Sequence, residues 1–102
     1  MKSIEELRSE IDRIDEEIVK LVAMRVGLVK EIADVKMEKC LKLVNPSREA
    51  YVLTRVRGLS SELGINPDHV ELLFRIVMMI CLKEELMYVE ERCGHRCCRE
   101  DG

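Results

Sequence analysis

Three charged side chains stand where apolar residues belong, and they are the ones with chemistry to offer. Arg25 falls on a stripe formed by Ile4, Leu7, Ile11, Ile14, Ile18, Leu21, Leu28, Ile32 and Val35, whose steps of three and four trace one helix face. An unpaired guanidinium is expensive to bury, so Arg25 needs a partner or a ligand. Lys36 follows eleven residues later, which on a helix is about 20° round and about 16 Å along. Val29 and Ile32 lie between the two. A cation at each end of an apolar floor suits a small dianion carrying a hydrophobic ring; an ion pair from Arg25 to a carboxylate across a dimer is the simpler alternative. Glu85 lies one turn beyond Cys81, on the face that continues from Phe74 and Met78, with Glu84 as its exposed neighbour. It matters chemically only if it faces Arg25 and Lys36, since an acid at a helix surface is usually solvated. Arg48 and Glu49 stand beside Asn45, where a glutamate is favoured by the helix dipole whatever its function.

The elements that must position these residues are helices. Ser3 and Glu6 form a capping box, and the stripe then continues with only Gly27 as a weak point, so one helix is expected from about residue 3 to about residue 40. A break near Gly27 is the alternative. An unbroken helix would be about 55 Å long, whereas a compact domain of this size is roughly 35 Å across. Its stripe therefore calls for cover by a second copy in a symmetric dimer. Asn45-Pro46 is a cap followed by a first-turn proline, and it starts a second helix with Tyr51, Val52, Val56, Leu59 and Leu63 on one face and Gly64 at its end. Asn66-Pro67-Asp68 repeats the signal for a third helix, which is expected to bury Val70, Leu73, Phe74, Val77, Met78, Ile80 and Cys81 and to reach about Cys93. The fold class is all-α: one long helix and two shorter ones, intertwined with a second copy. Residues 1–92 form the helical domain, and residues 93–102 a polar, cysteine-containing tail expected to fray.

Composition narrows the function. At 102 residues the chain has room for one core. Charged residues make up 36% but the net charge is only -3, so there is no basic field for nucleic acid or an anionic membrane. One Phe, two Tyr and no Trp give no base-stacking platform. Acids at Glu5 and Glu6 stand where a signal peptide needs apolar residues. The densest apolar run, Ile76 to Leu82, is far short of a membrane span. The expected setting is the cytoplasm, with Cys40 and Cys81 inside helical patterns and their thiols reduced. Cys93, His95, Cys97 and Cys98 are four potential metal ligands, but zinc sites usually need well-spaced pairs on a folded loop. No metal is therefore expected. His69 and His95 have no nucleophile or base arrangement around them and are read as surface residues.

Over about residues 4 to 90 the sequence resembles the all-helical class of chorismate mutases. Leu7-Arg8-Ser9-Glu10-Ile11-Asp12-Arg13-Ile14-Asp15 looks like that family's opening segment. Ala23-Met24-Arg25 matches its mid-helix arginine, and Val35-Lys36 its lysine near the helix end. Asn45-Pro46-Ser47-Arg48-Glu49 resembles the family's Asp-Pro-x-Arg-Glu start of helix two. Phe74, Cys81 and Glu85 fall at the spacing of its Phe, Ser-like and Gln-or-Glu positions. The resemblance implies a pericyclic Claisen rearrangement of chorismate to prephenate in aromatic amino acid biosynthesis, with no cofactor, metal or covalent intermediate. It gives Lys36 and Glu85 the ether oxygen, Arg25 and Arg8 the two carboxylates, and Glu49 the ring hydroxyl. Asn45 would close that side, Arg48 would position its neighbours, and Cys81 would contact a carboxylate.

Arg8 carries a geometric condition. It lies 17 residues before Arg25, about 25 Å along a straight helix. A ligand of chorismate size cannot touch both on one chain, so Arg8 would come from the partner subunit, as the family's architecture implies. Three positions depart from the pattern. Glu85 replaces the commoner Gln and must be protonated to donate, Asn45 replaces Asp, and Cys81 replaces a hydroxyl. The rival readings are an isochorismate pyruvate lyase, which resembles the same fold, and a non-catalytic helical dimerisation module.

Overall fold

The computed structural model describes residues 1–93. They form three helices, α1 (Ile4–Glu38), α2 (Pro46–Glu62) and α3 (Pro67–Cys93), with no strand among the described residues. None of these helices is long and apolar enough to cross a membrane.

The helix starts follow their caps. The Glu6 backbone N–H donates to Ser3 Oγ at 3.1 Å, and the Ser3 N–H donates back to the Glu6 carboxylate at 3.0 Å. This satisfies two orphan donors of α1. Asn45 accepts from the Arg48 N–H at 3.1 Å with Pro46 in the first turn, and Asn66 accepts from the Asp68 N–H at 2.9 Å. Past α2, Gly64 takes a left-handed φ of 77°, Ile65 N–H donates to the Ser60 carbonyl at 2.9 Å and Gly64 N–H to that of Ser61 at 3.2 Å. That is a Schellman closure, and glycine is the residue suited to it. α1 runs through Gly27 without a break.

The end of α1 differs from expectation. Cys40 does not continue the helix; it lies beyond Glu38 with φ at 55°. Leu41 N–H reaches back to the Lys36 carbonyl at 2.8 Å, the same closure as at Gly64. A side-chain-bearing residue in that conformation costs about 1–2 kcal/mol, partly offset against glycine's greater freedom in the unfolded chain. Cys40→Gly is therefore expected to stabilise the protein by about 0.5–1 kcal/mol, read as a rise of a few degrees in melting temperature. An unchanged or lower midpoint would refute this account.

α3 is the central element and packs against both other helices. With α2 it forms an antiparallel hairpin, pinned near the turn by Arg57, which donates to Asp68 and Glu71 at 2.9 Å each. Against α1 it runs in the same direction: Arg25 meets Cys81, and Asp34 meets Tyr88. The buried apolar side chains are small, Ala33, Val52, Val56, Val77, Cys81 and Val89. Leu73 (50% exposed) and Ile80 (38%), expected inside, face outward. Every apolar residue of the α1 stripe is likewise exposed, and from Ile4 to Leu21 the helix stands clear of the other two. The molecule measures 60 × 26 × 16 Å with a radius of gyration of 17.4 Å, against about 13 Å for a compact chain of this length. It exposes 8112 Å² where a compact protein of its mass exposes about 5,900 Å².

Candidate active site

All three helices contribute to one cavity of about 280 Å³, just below the usual range for ligand sites. α1 supplies Arg25 and the apolar floor of Leu28, Val29 and Ile32; the start of α2 supplies Asn45, Arg48, Glu49 and Val52; α3 supplies Met78, Cys81, Leu82 and Glu85. The floor foreseen between Arg25 and Lys36 is thus present, and Glu85 does face it. Arg25 Nη1 donates to Cys81 Sγ at 2.9 Å, which points the guanidinium across the cavity towards α3. Arg48 lies over the Tyr51 ring at 4.9 Å from its centroid. The Asn45 side chain is engaged as the α2 cap, fixing the backbone from which Arg48 and Glu49 project.

Lys36 sits at the edge of this space. Its Nζ donates to the Leu43 carbonyl at 2.5 Å and lies 3.5 Å from Glu85 Oε2. Glu85 is only 4% exposed, and its Oε2 is buried without a hydrogen-bond partner. Such orphan atoms are rare in folded proteins and ask for an explanation; a ligand group completing the bond is one. Burial pushes the Glu85 carboxyl above its ordinary range, and the Lys36 charge opposes this without cancelling it. A carboxylic acid and an ammonium 3.5 Å apart can both donate to one acceptor atom placed between them. With Glu85 protonated, Arg25, Arg48 and Lys36 outweigh Glu49, leaving a net positive site matched to a dianion.

Of the eight residues singled out from the sequence, seven gather here: Arg25, Lys36, Asn45, Arg48, Glu49, Cys81 and Glu85. Arg8 does not. It is exposed on the free end of α1, about 25 Å from Arg25 along the axis. Sequence reasoning did not foresee the Leu43 carbonyl or the Asp34–Tyr88 contact, whose partners are 54 residues apart and carry no local pattern. No group of three His, Cys, Asp or Glu able to hold a metal occurs among the described residues. The cluster of Cys93, His95, Cys97 and Cys98 side chains lies outside them.

The sequence model of chorismate mutase type II matches residues 7–86. A chorismate mutase from Methanocaldococcus jannaschii is 31% identical over 91 residues, covering 89% of this chain and 92% of the relative. A bifunctional chorismate mutase/prephenate dehydratase from Aquifex aeolicus is 35% identical over 88 residues, 83% of this chain but 24% of that protein. A T-protein from Enterobacter agglomerans is 39% identical over 72 residues, 71% of this chain and 19% of the relative. The chain thus spans about a quarter or less of the two longer relatives and nearly all of the shorter one. No solved structure matches. With most of its length inside that match and the matched segment holding the whole cavity, the chain belongs to the chorismate mutase type II family.

Proposed function

We propose that this protein is a cytoplasmic, homodimeric chorismate mutase that rearranges chorismate to prephenate. The observation that carries this is the convergence of Lys36 and Glu85 beside an apolar floor whose far end holds Arg25. The rearrangement lengthens a carbon–oxygen bond, and negative charge grows on the ether oxygen in the transition state. Lys36 is the fixed cation for that oxygen and protonated Glu85 its second donor. Both are preorganised before substrate arrives, which is when such donors act most strongly. Val29 and Ile32 press on the ring and favour the chair-like conformer. Arg25 takes one carboxylate through its guanidinium fork. Arg48 holds the α2 face, Glu49 accepts from the ring hydroxyl, Asn45 closes that side, and Cys81 supports the carboxylate contact through Arg25.

The second carboxylate is assigned to Arg8 of a partner subunit. Two features support a dimer: the uncovered apolar stripe of α1, and a surface excess of roughly 2,000 Å² over a compact chain, which is on the scale each protomer hides in an obligate interface. Incubation with chorismate and, separately, with isochorismate tests the activity. Prephenate from the first supports the reading, whereas pyruvate and salicylate from the second, with chorismate untouched, would replace it with the lyase. Inertness towards both would leave a helical dimerisation module.

The composite site makes its own prediction. Arg8→Ala and Arg25→Ala proteins should each be nearly inactive. Mixed, unfolded and refolded together in equal amounts, they should regain about a quarter of wild-type activity, because half the dimers are mixed and each has one intact site. Recovery of nothing above the single variants would place Arg8 outside the site.

A further inference from the structure

α1 and α3 are joined outside the cavity by a polar clamp that none of the roles above uses. The Tyr88 hydroxyl lies 2.8 and 2.9 Å from the two carboxylate oxygens of Asp34. The ring is flanked by Lys30, 5.8 Å from its centroid, and Arg92, 5.3 Å away. Arg92 Nε also lies 3.7 Å from Asp34, and Lys30 Nζ 4.0 Å from Glu84. The ring is thus held on its sides while its hydroxyl is held at its tip. Because Asp34 accepts its hydrogen bond, the Tyr88 hydroxyl titrates above its usual range and remains a donor.

The placement of this clamp matters more than its strength. Asp34 stands two residues before Lys36 and Tyr88 three residues after Glu85, so both members lie within one turn of the buried pair. Lys36 occupies the last turn of α1, where helices fray, and its ammonium has a competing acceptor in the Leu43 carbonyl. A slip of α1 along α3 would leave Lys36 on Leu43 and away from Glu85. Asp34 is nearly half exposed, so the contact contributes little to global stability. A phenol-to-carboxylate hydrogen bond is nevertheless short and directional enough to fix a register.

We propose that Asp34 and Tyr88 are positioning residues that set the α1–α3 register at which Lys36 and Glu85 act together on the substrate. The inference rests on the mutase reading of the cavity, and its test separates the two. Tyr88→Phe keeps the ring and removes the donor. It should lower kcat about 5–20-fold with KM within about twofold, because the displaced groups act in the transition state and not in ground-state binding. Asp34→Leu should match it, and the double variant should be no worse than either alone. Asp34→Asn still accepts from the hydroxyl and should keep kcat within about twofold of wild type. Amide hydrogen exchange over Val35 to Glu38, which requires no turnover, should speed up in Tyr88→Phe and Asp34→Leu but not in Asp34→Asn. An unchanged kcat in Tyr88→Phe, a rise in KM alone, or an equal loss in Asp34→Asn overturns the inference. If the wild-type protein turns over no chorismate, the mutase reading fails. In that event unaltered exchange in Tyr88→Phe removes the clamp as well, while faster exchange upholds it.

Discussion

Lys36→Ala is expected to lower kcat by about 10²–10³-fold, the usual consequence of removing one preorganised donor from a developing oxyanion. Helix content and oligomeric state should survive the change. Lys36 is the partner of a nearly buried carboxyl, and removing a cation from a buried anion is normally ruinous. Here Glu85 has a way out, because it titrates above the ordinary range and can take up a proton when Lys36 is gone. Chorismate loss followed by absorbance, with circular dichroism and light scattering on the same sample, makes the comparison. Activity within tenfold of wild type would remove Lys36 from the ether oxygen.

The second large effect concerns pH. Turnover should rise as pH falls below neutral and should drop by up to tenfold for each unit above the Glu85 midpoint, because only the acid form donates. The groups facing Glu85 are Lys36 and Arg25 from α1 and Arg48 and Glu49 from α2. Glu85→Gln supplies an amide N–H at every pH, so it should flatten the profile and exceed the wild type on the alkaline side. Stability should carry the same signature. The folded state holds the Glu85 proton to higher pH than the unfolded chain does. Between the ordinary carboxyl value and the raised one, the native state therefore binds more protons, and stability falls as pH rises. Above the raised midpoint the loss is complete, and Glu85→Gln abolishes that part of the slope. A wild-type rate independent of pH would end the proposed role for Glu85.

How much of this was legible in the sequence depends on how local the governing chemistry is. Ser3 with Glu6, Asn45 with Pro46, and Asn66 with Pro67 act within a single turn, so all three helix starts emerged where the pattern put them. Arg25 and Glu85 were visible because a charge on an apolar face stands out against its period. Cys40 was not, since the left-handed closure after α1 uses a residue with no preference for it. Leu73 and Ile80 were assigned to the interior because an apolar face announces that it needs cover without saying which surface provides it. The Asp34–Tyr88 contact was invisible for the reason most tertiary contacts are: nothing within reach of either residue specifies the other.

If the proposed dimer holds, the free end of α1 also decides how the protein answers dilution. A rod carrying Ile4, Leu7, Ile11, Ile14, Ile18 and Leu21 in water has little cover of its own, and in the proposed dimer the second copy supplies it, which would make folding a two-body event. Specific activity should then fall when the protein is thinned, and an acidic substitution at Ile11 or Ile18 should mimic that thinning. Residues that never meet the substrate would thereby behave, in a screen for function, as if they did.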